Sequence, residues 1–525
     1  MWLQKICFIG IMLLGLNTAS AQSEAIPCDL SNLYNITITK SPTLQRQNIQ
    51  YRISEVEKKS AASAFDYQLF SELSVNRSNQ TLFDLDPRKD LVGEQISSNN
   101  LSLSGGVQRN FRSGMRANAG INYSRVADNF PFNSFNENIG SFISDNNTIV
   151  SVSITQPLLK GRGRAITTAN ENIAKIAIES QQHNTTFISS GEIFNMAIGY
   201  WQYLGANKAL EIYRTNEARV AKVLDITNEL VNADKKPSSD LLQVQADLKD
   251  KERQSIQAEQ QLFAARQNLG RRIGLSTAES NLIGLPTNAF PDVESFPLDI
   301  TLKSLLDLAY QHRSDLKGIK KSLDILSISK DVAENNTKPQ LDLIGSLNYG
   351  GVDAGNGAHR FLTALGQREG RNYQVGLGLS YLFPVNNNFA EANLLSNQLQ
   401  YSDQEIQLNN QLRNIELNVS IAYNNLLNSI EAVKKSKQSL DYYEEVFNNE
   451  QYKFQSGLTT LLNLIIFQER LTFAQLDYIQ NQQQFAIAIS NLRYETGTIF
   501  SSDFHDVIAT DNSGNPEIFY TLPRE

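Results

Sequence analysis

The sequence predicts a mainly α-helical chain that carries a membrane β-barrel sheet, arranged as two tandem repeats of β-strands and long helical hairpins. Three observations predict this. Matched residues recur at fixed offsets, segments ahead of two matched prolines alternate with period two, and segments beyond them run on almost without helix breakers.

The leading residues come first. Met1 to Ala21 places Lys5 ahead of the apolar run Ile6 to Leu16, and Ala19-Ser20-Ala21 supplies small residues for cleavage. This predicts a secretory signal peptide over 1–21, because the run is about half the roughly 20 residues that a spanning helix needs. The chain has 525 residues, a formal net charge of −8 and two cysteines, one of them inside that leader, so no disulfide framework is expected within the mature chain. Cys28 raises the question of a lipidated N-terminus, but Glu24-Ala25-Ile26-Pro27 before it is not the small-residue signal such a modification needs. No later stretch is long and apolar enough for a membrane helix, so any span must be made of strands.

The repeats set the domain frame: repeat 1 over 22–297, repeat 2 over 298–500 and a tail over 501–525. Leu30, Leu33, Leu44 and Gln68-Leu69 match Leu302, Leu305, Leu316 and Gln340-Leu341 at an offset of 272, so each repeat opens with a helix that runs into a strand. Ile198, Tyr200, Leu204, Leu241, Leu269 and Gly274 match Ile421, Tyr423, Leu427, Leu464, Leu492 and Gly497 at an offset of 223. Pro157 and Pro384 match at 227, and the drop from 272 to 227 leaves 45 extra residues in repeat 1, between Asn76 and Asn147.

Strands are predicted over 67–77 and 148–156 in repeat 1 and over 339–349 and 372–383 in repeat 2, with inserted strands inside 101–125. In 339–349, Leu341, Leu343, Leu347 and Tyr349 share one face while Gln340, Asp342, Ser346 and Asn348 share the other. A soluble sandwich shows the same alternation, but nothing flanking these strands supplies a second sheet. Four strands, or six if the insertion joins, are too few for a membrane barrel, since about eight is the minimum and an open edge in lipid is prohibitive. Copies of the chain must therefore share one barrel.

Long helices are predicted over 165–231 and 389–455, with return helices over 240–272 and 460–496. Positions 210, 213, 217, 220, 224, 227 and 231, and their partners from Val433 to Phe454, advance by threes and fours, the seam of helices that coil around neighbours. A helix of such length spans about 100 Å at 1.5 Å per residue and needs other helices along its whole stripe.

Signal peptide, doubled repeat, Gln156-Pro157-Leu158-Leu159 and Phe383-Pro384-Val385 at the strand-to-helix junctions, and Gly457 ahead of an Asn463-Leu464 helix together resemble the TolC family of outer-membrane efflux channels. The resemblance implies a trimeric α-barrel/β-barrel channel-tunnel: a homotrimer with its barrel in the outer-membrane lipid of a Gram-negative bacterium and its tunnel in the periplasm. It further implies a tip that docks a periplasmic adaptor (membrane fusion protein) and an inner-membrane transporter of an efflux or type I secretion system. The candidate gate and tip residues it implies are Asp240, Phe454, Gly457, Asn463 and Ile466. Members with two acidic residues three apart after the second tip glycine would have them where this chain has Asn463 and Ile466, so the acidic rings are replaced by an amide and an aliphatic one. Interhelical packing is the competing role for both.

No catalytic site, cofactor site or metal site is expected: the four histidines, His183, His312, His359 and His505, are scattered, and nucleotide-binding and nucleophile motifs are missing. Gly-Arg-Gly-Arg at 161–164 suggests phosphate or RNA, yet its repeat counterpart is Asn-Asn-Asn-Phe, so no nucleic-acid partner is expected. It reads instead as a corner, with Pro157 ending the ladder, Gly161 and Gly163 permitting the turn, and Pro384 marking the second copy.

Overall fold

The structure is a computed structural model that describes residues 25–129, 143–294, 300–366, 372–500 and 516–523. The signal-peptide reading, His505 and most of the tail lie outside these residues.

The chain begins with β1 (Ile26–Cys28), α1 (Leu30–Lys40) and α2 (Pro42–Ala62), then a 3-10 turn and β2 (Gln68–Thr81). One-turn α3 (Lys89–Val92) leads to β3 (Gln95–Asn110), β4 (Arg116–Asp128) and β5 (Ile143–Pro157). After α4 (Arg164–Thr167) come α5 (Ala169–Asn232), α6 (Ser238–Arg272), α7 (Thr277–Ser280) and β6 (Ile283–Pro286). The second repeat runs α8 (Leu302–His312), α9 (Ser314–Asn336), β7 (Gln340–Ala354), α10 (Arg360–Leu365), β8 (Asn372–Leu382), α11 (Asn388–Gln455) and α12 (Leu461–Glu495).

Each repeat opens on two helices rather than the single one expected. Asp29 caps α1 by accepting from the Asn32 N–H at 2.9 Å, and Thr301 caps α8 from the Ser304 N–H at 3.3 Å. Pro42, lacking an N–H, then restarts the first helix as α2. Repeat 2 breaks without proline, at Arg313, whose backbone is extended. Matched Leu33 and Leu305 are both fully buried beneath these elbows.

All six long strands form one antiparallel sheet in the order β2-β3-β4-β5-β7-β8. The inserted strands therefore lie inside the sheet, between β2 and β5. Most strands run further than the alternation suggested: β5 reaches back to Ile143 and β7 on to Ala354, because paired neighbours carry the ladder into polar sequence. Register places Leu73, Leu103, Tyr123, Thr148, Gly351 in one row and Leu69, Val107, Ala119, Val152, Leu347, Val375 in another, all on one face. Their neighbours on the opposite face are mainly Ser, Asn, Gln and Gly, among them Ser104, Asn122, Ser346 and Gln374. Tyr349 and Tyr373 end the apolar band above and Tyr67 and Tyr381 end it below, as in sheets that span a bilayer.

Two helices run the full length. At 64 and 68 residues, α5 and α11 span about 96 and 102 Å at 1.5 Å per residue. Beneath the sheet α5 packs between α2 and α9, with α11 beyond α9; lower down it packs between α6 and α12, with α11 beyond α12. The row is thus four helices wide at either level. In α11, Val433, Ser436, Leu440, Phe447, Glu450 and Phe454 are buried at the expected seam positions. In α5 the buried places at two positions shift by one, to Asn216 and Val223 instead of Glu217 and Leu224, because Asn216 accepts a buried hydrogen bond from Gln468 at 2.7 Å. Two of the glycines inside α5 serve close approach: a Cβ at Gly205 would stand 2.1 Å from the Gln483 amide, and one at Gly199 2.8 Å from Arg272.

Candidate functional site

The strand-to-helix corners decide how sheet and helices join. In the first, Pro157 is buried as the last residue of β5, and the Leu158 N–H still donates to Leu341 O at 2.7 Å. Gly161 has φ +78 and donates its N–H to the Asn335 amide oxygen at 2.7 Å, while Gly163 has φ +96 immediately before α4. Both turns need a residue that tolerates the left-handed region, which is why glycine stands there. Thr167 closes the loop by donating to Gly163 O at 2.9 Å. Arg112, from the turn between β3 and β4, reaches Glu171 in the first turn of α5 at 2.8 Å. The second corner is built differently: Leu382 to Asn386, including Pro384, are exposed, and only Asn387, at φ +35, ties back by donating its amide to Thr337 O at 2.9 Å.

The far ends of the hairpins form the tip. Asp240 lies in the first turn of α6, partly exposed, where a carboxylate suits the positive end of the helix dipole. Gly457 takes φ +73 after α11, with open space around it, and ends that helix as a left-handed cap does. Phe454 is only 2% exposed, packed among Leu461, Leu464 and Val244, so its ring belongs to the core between hairpins rather than to a pore. Lys236 stands 5.4 Å above that ring and links the first tip to the second. Asn463 and Ile466 are both exposed on α12. Asn463 is already engaged, since its N–H is capped by Thr460 and its amide donates to Thr459 at 3.3 Å.

Two polar clusters escaped the sequence reading. Glu450, buried in the seam, accepts from Thr459 and pairs with Lys453 at 3.3 Å; the Thr459 hydroxyl, then Lys453, hold its carboxyl below the usual range despite its burial. Higher up, Lys251 bridges Asp247 at 3.2 Å and Glu469 at 2.9 Å, tying α6 to α12. Burial opposes the charge on Lys251, but the hydrogen bond to Glu469 and the Asp247 carboxylate outweigh it and raise its pKa. Asp247 is raised too, because its own burial outweighs its half share of one lysine. A Glu inside an apolar seam was the only signal for the first cluster; nothing in the sequence marked the second.

Cys28 is packed against the cluster around Trp201 and Leu30, and burial, then Asp29, pushes its thiol up to about 12. It is an inert core residue in this fold.

Residues 305–498 match the family model described as outer membrane efflux protein. Over this stretch, which lies in the second repeat, the chain is similar to outer membrane efflux proteins. Solved structures extend the likeness in fold to both repeats. The Campylobacter jejuni CmeC outer membrane channel superposes with a TM-score of 0.66 at 12% identity, covering 93% of this chain and 90% of that one. The Vibrio cholerae outer membrane protein VceC gives 0.61 at 13% identity, covering 89% and 96%. The open-state Neisseria gonorrhoeae MtrE outer membrane channel gives 0.60 at 14%, covering 89% and 88%. Among curated protein sequences, none matches this chain.

Proposed function

We propose that this chain is the outer-membrane duct of an export system, a homotrimer whose barrel sits in the outer membrane and whose helices form a tunnel through the periplasm. It carries out no chemistry and supplies no energy; an inner-membrane transporter does that, joined through a periplasmic adaptor that docks at the tip. The observation that carries the reading is the continuity of one chain from a sheet with one apolar and one polar face into helices about 100 Å long. A diffusion porin needs the sheet but has no use for such helices. The polar face of Ser, Asn and Gln would line a lumen that wets without holding ionic cargo. Pro157, Gly161, Gly163 and Pro384 turn the chain from barrel to tunnel. Asp240, Asn463 and Ile466 would form rings at the tip, an acidic, an amide and an aliphatic one, with Gly457 setting the turn above them.

Crosslinking the native protein in cells and recovering it tests the partners. The expected result is co-recovery of an adaptor, together with increased sensitivity to exported toxic compounds when the gene is deleted. Recovery without any adaptor and unchanged sensitivity would remove the duct reading in favour of a porin or an adhesive protein. For the tip, Ile466→Asp in planar bilayers is expected to change closed-state leakage and cation selectivity. Unchanged values would take Ile466 out of the gate.

A further inference from the structure

We propose that three copies of this chain close an eighteen-stranded barrel, with β2 of one copy pairing with β8 of the next and α2 packing on the upper part of α11 across the same seam. The proposal rests on the trimeric duct above, and gives its membrane half a width that the helical half does not share. Four junctions join strands to helices in each copy: α2 to β2, β5 to α5, α9 to β7 and β8 to α11. The remaining strands, β3 and β4, return to the sheet without adding a helix, so six strands stand above a row of four helices.

The inserted pair cannot be an external hairpin in this structure. β3 pairs with β2 residue for residue from Gln68 to Thr81, β4 pairs with β5 residue for residue from Arg116 to Asp128, and both keep the same apolar and polar faces as their neighbours. The phenyl ring of Phe70 even lies across Gly106 and Gly120, where a Cβ would meet it at 2.8 and 3.6 Å. What remains open are the two ends of the sheet. β2 and β8 each pair on one side only, and nearly every residue of both is exposed. Rows of unpaired N–H and C=O groups beside an apolar face cannot rest in lipid. Because the strand number is even and every pair antiparallel, β2 and β8 run in opposite directions and can join another copy in the same ladder pattern.

The helices continue each edge downward. Ile49, Ile53 and Val56 are exposed on α2 at the spacing of one face, and Leu395, Leu399 and Ile406 are exposed on the part of α11 that follows β8. A second copy covers both stripes and both strand edges at once. With strands about 4.8 Å apart and tilted by about 40°, eighteen strands give a backbone diameter of about 36 Å, against about 24 Å for twelve. The narrowest point of the path would then lie in the tunnel or tip, not in the membrane.

Paired cysteines in the full chain, oxidised in outer-membrane preparations, test this; native Cys28 is 1% exposed and stays silent. Leu73→Cys combined with Val375→Cys, Leu377→Cys or Leu379→Cys samples three registers of the β2–β8 seam, and Ile53→Cys with Leu399→Cys samples the helical seam. The expected result is a covalent ladder that ends at the trimer for at least one strand register, with no ladder from single substitutions. Leu73→Cys with Leu103→Cys should link within one copy. A ladder ending at the dimer, no β2–β8 link at any register, or a link within one copy between Leu73→Cys and Val150→Cys, which would mean four barrel strands, each overturns the proposal. Projection images of the unsubstituted protein in lipid nanodiscs give an answer independent of variant assembly: a barrel of about 36 Å supports it and one of about 24 Å overturns it. Seam links that persist in a strain-level assay showing no export would overturn the duct reading alone.

Discussion

The elbows of the two repeats solve one packing problem with different chemistry. Gly274 in repeat 1 sits at φ +83 where a Cβ would meet Lys40 O at 2.5 Å; Gly497 in repeat 2 sits at φ +71 where a Cβ would meet the Arg313 N at 2.9 Å. Each glycine thus presses on the bend of its own repeat's opening helices. Around that shared backbone contact the side chains diverge. The first elbow is held by Pro42 and by Ser41, whose hydroxyl donates to Glu192 at 3.0 Å. The second is held by Arg313, buried and paired with Asp315 at 2.8 Å and Glu495 at 2.6 Å. Burial works against the Arg313 charge, yet these carboxylates raise its pKa above the ordinary value. The two elbows share a backbone geometry and satisfy it with different side chains.

The largest expected asymmetry follows from the charge. Arg313→Ala takes the buried cation from two largely covered carboxylates, Asp315 and Glu495, and should cost about 3 kcal/mol, read as a lowered thermal midpoint of the purified protein. An effect no larger than that of Ser41→Ala would break the comparison. Gly274→Ala and Gly497→Ala combine a left-handed backbone with a backbone overlap, and each should cost about 2–3 kcal/mol by the same measurement. Similar losses at the two sites would sharpen the case that the repeats share a backbone solution. Ser41→Ala loses one hydrogen bond to a carboxylate and should cost about 1.5 kcal/mol. The smallest effect belongs to the tip of repeat 2, since repeat 1 has no buried glutamate there. The Thr459 hydroxyl, then Lys453, depress the Glu450 pKa, so its stabilisation is full above the ordinary carboxylate value and is lost as pH falls through the lower folded-state value. Protection of the Gln455 to Asn463 amides against hydrogen exchange, taken relative to their intrinsic rate at each pH, should therefore fall only on acidification below the ordinary carboxylate range, and Glu450→Gln should abolish that dependence.

The parts of the fold carried by long periodic stretches could be read from the sequence. Buried Val433, Ser436, Leu440 and Phe447 repeat often enough to fix a helix and its inward face, and Gln68 and Gln340, matched across the repeats, begin β2 and β7. What escaped is short or depends on distant partners. The parallel pair of β1 with β6 joins three- and four-residue strands 255 residues apart, counting from Cys28 to Ile283, and has no period to detect. The Arg313 cluster left one trace: a charge at 313 where the repeat has Ser41. The tip was legible as a place but not as a surface, because the burial of Phe454 depends on Lys236 and Val244 from the other hairpin.

The short helix α10 lies in the connection between β7 and β8. It folds onto the apolar face of the sheet above the upper tyrosines: Thr148 donates to Phe361 O at 3.0 Å, the Phe361 ring meets Tyr123 edge-on at 5.5 Å, and Arg360 is clamped to Asp353 at 3.0 Å. Mechanically this is a shoulder. In the proposed duct, a tunnel hauled inward by a transporter would transmit axial load to the sheet, and a smooth cylinder would resist it only through its tyrosine belts. To slide, the proposed barrel would have to drag an ion pair and a folded helix through hydrocarbon, so the loop would turn a frictional hold into a stop.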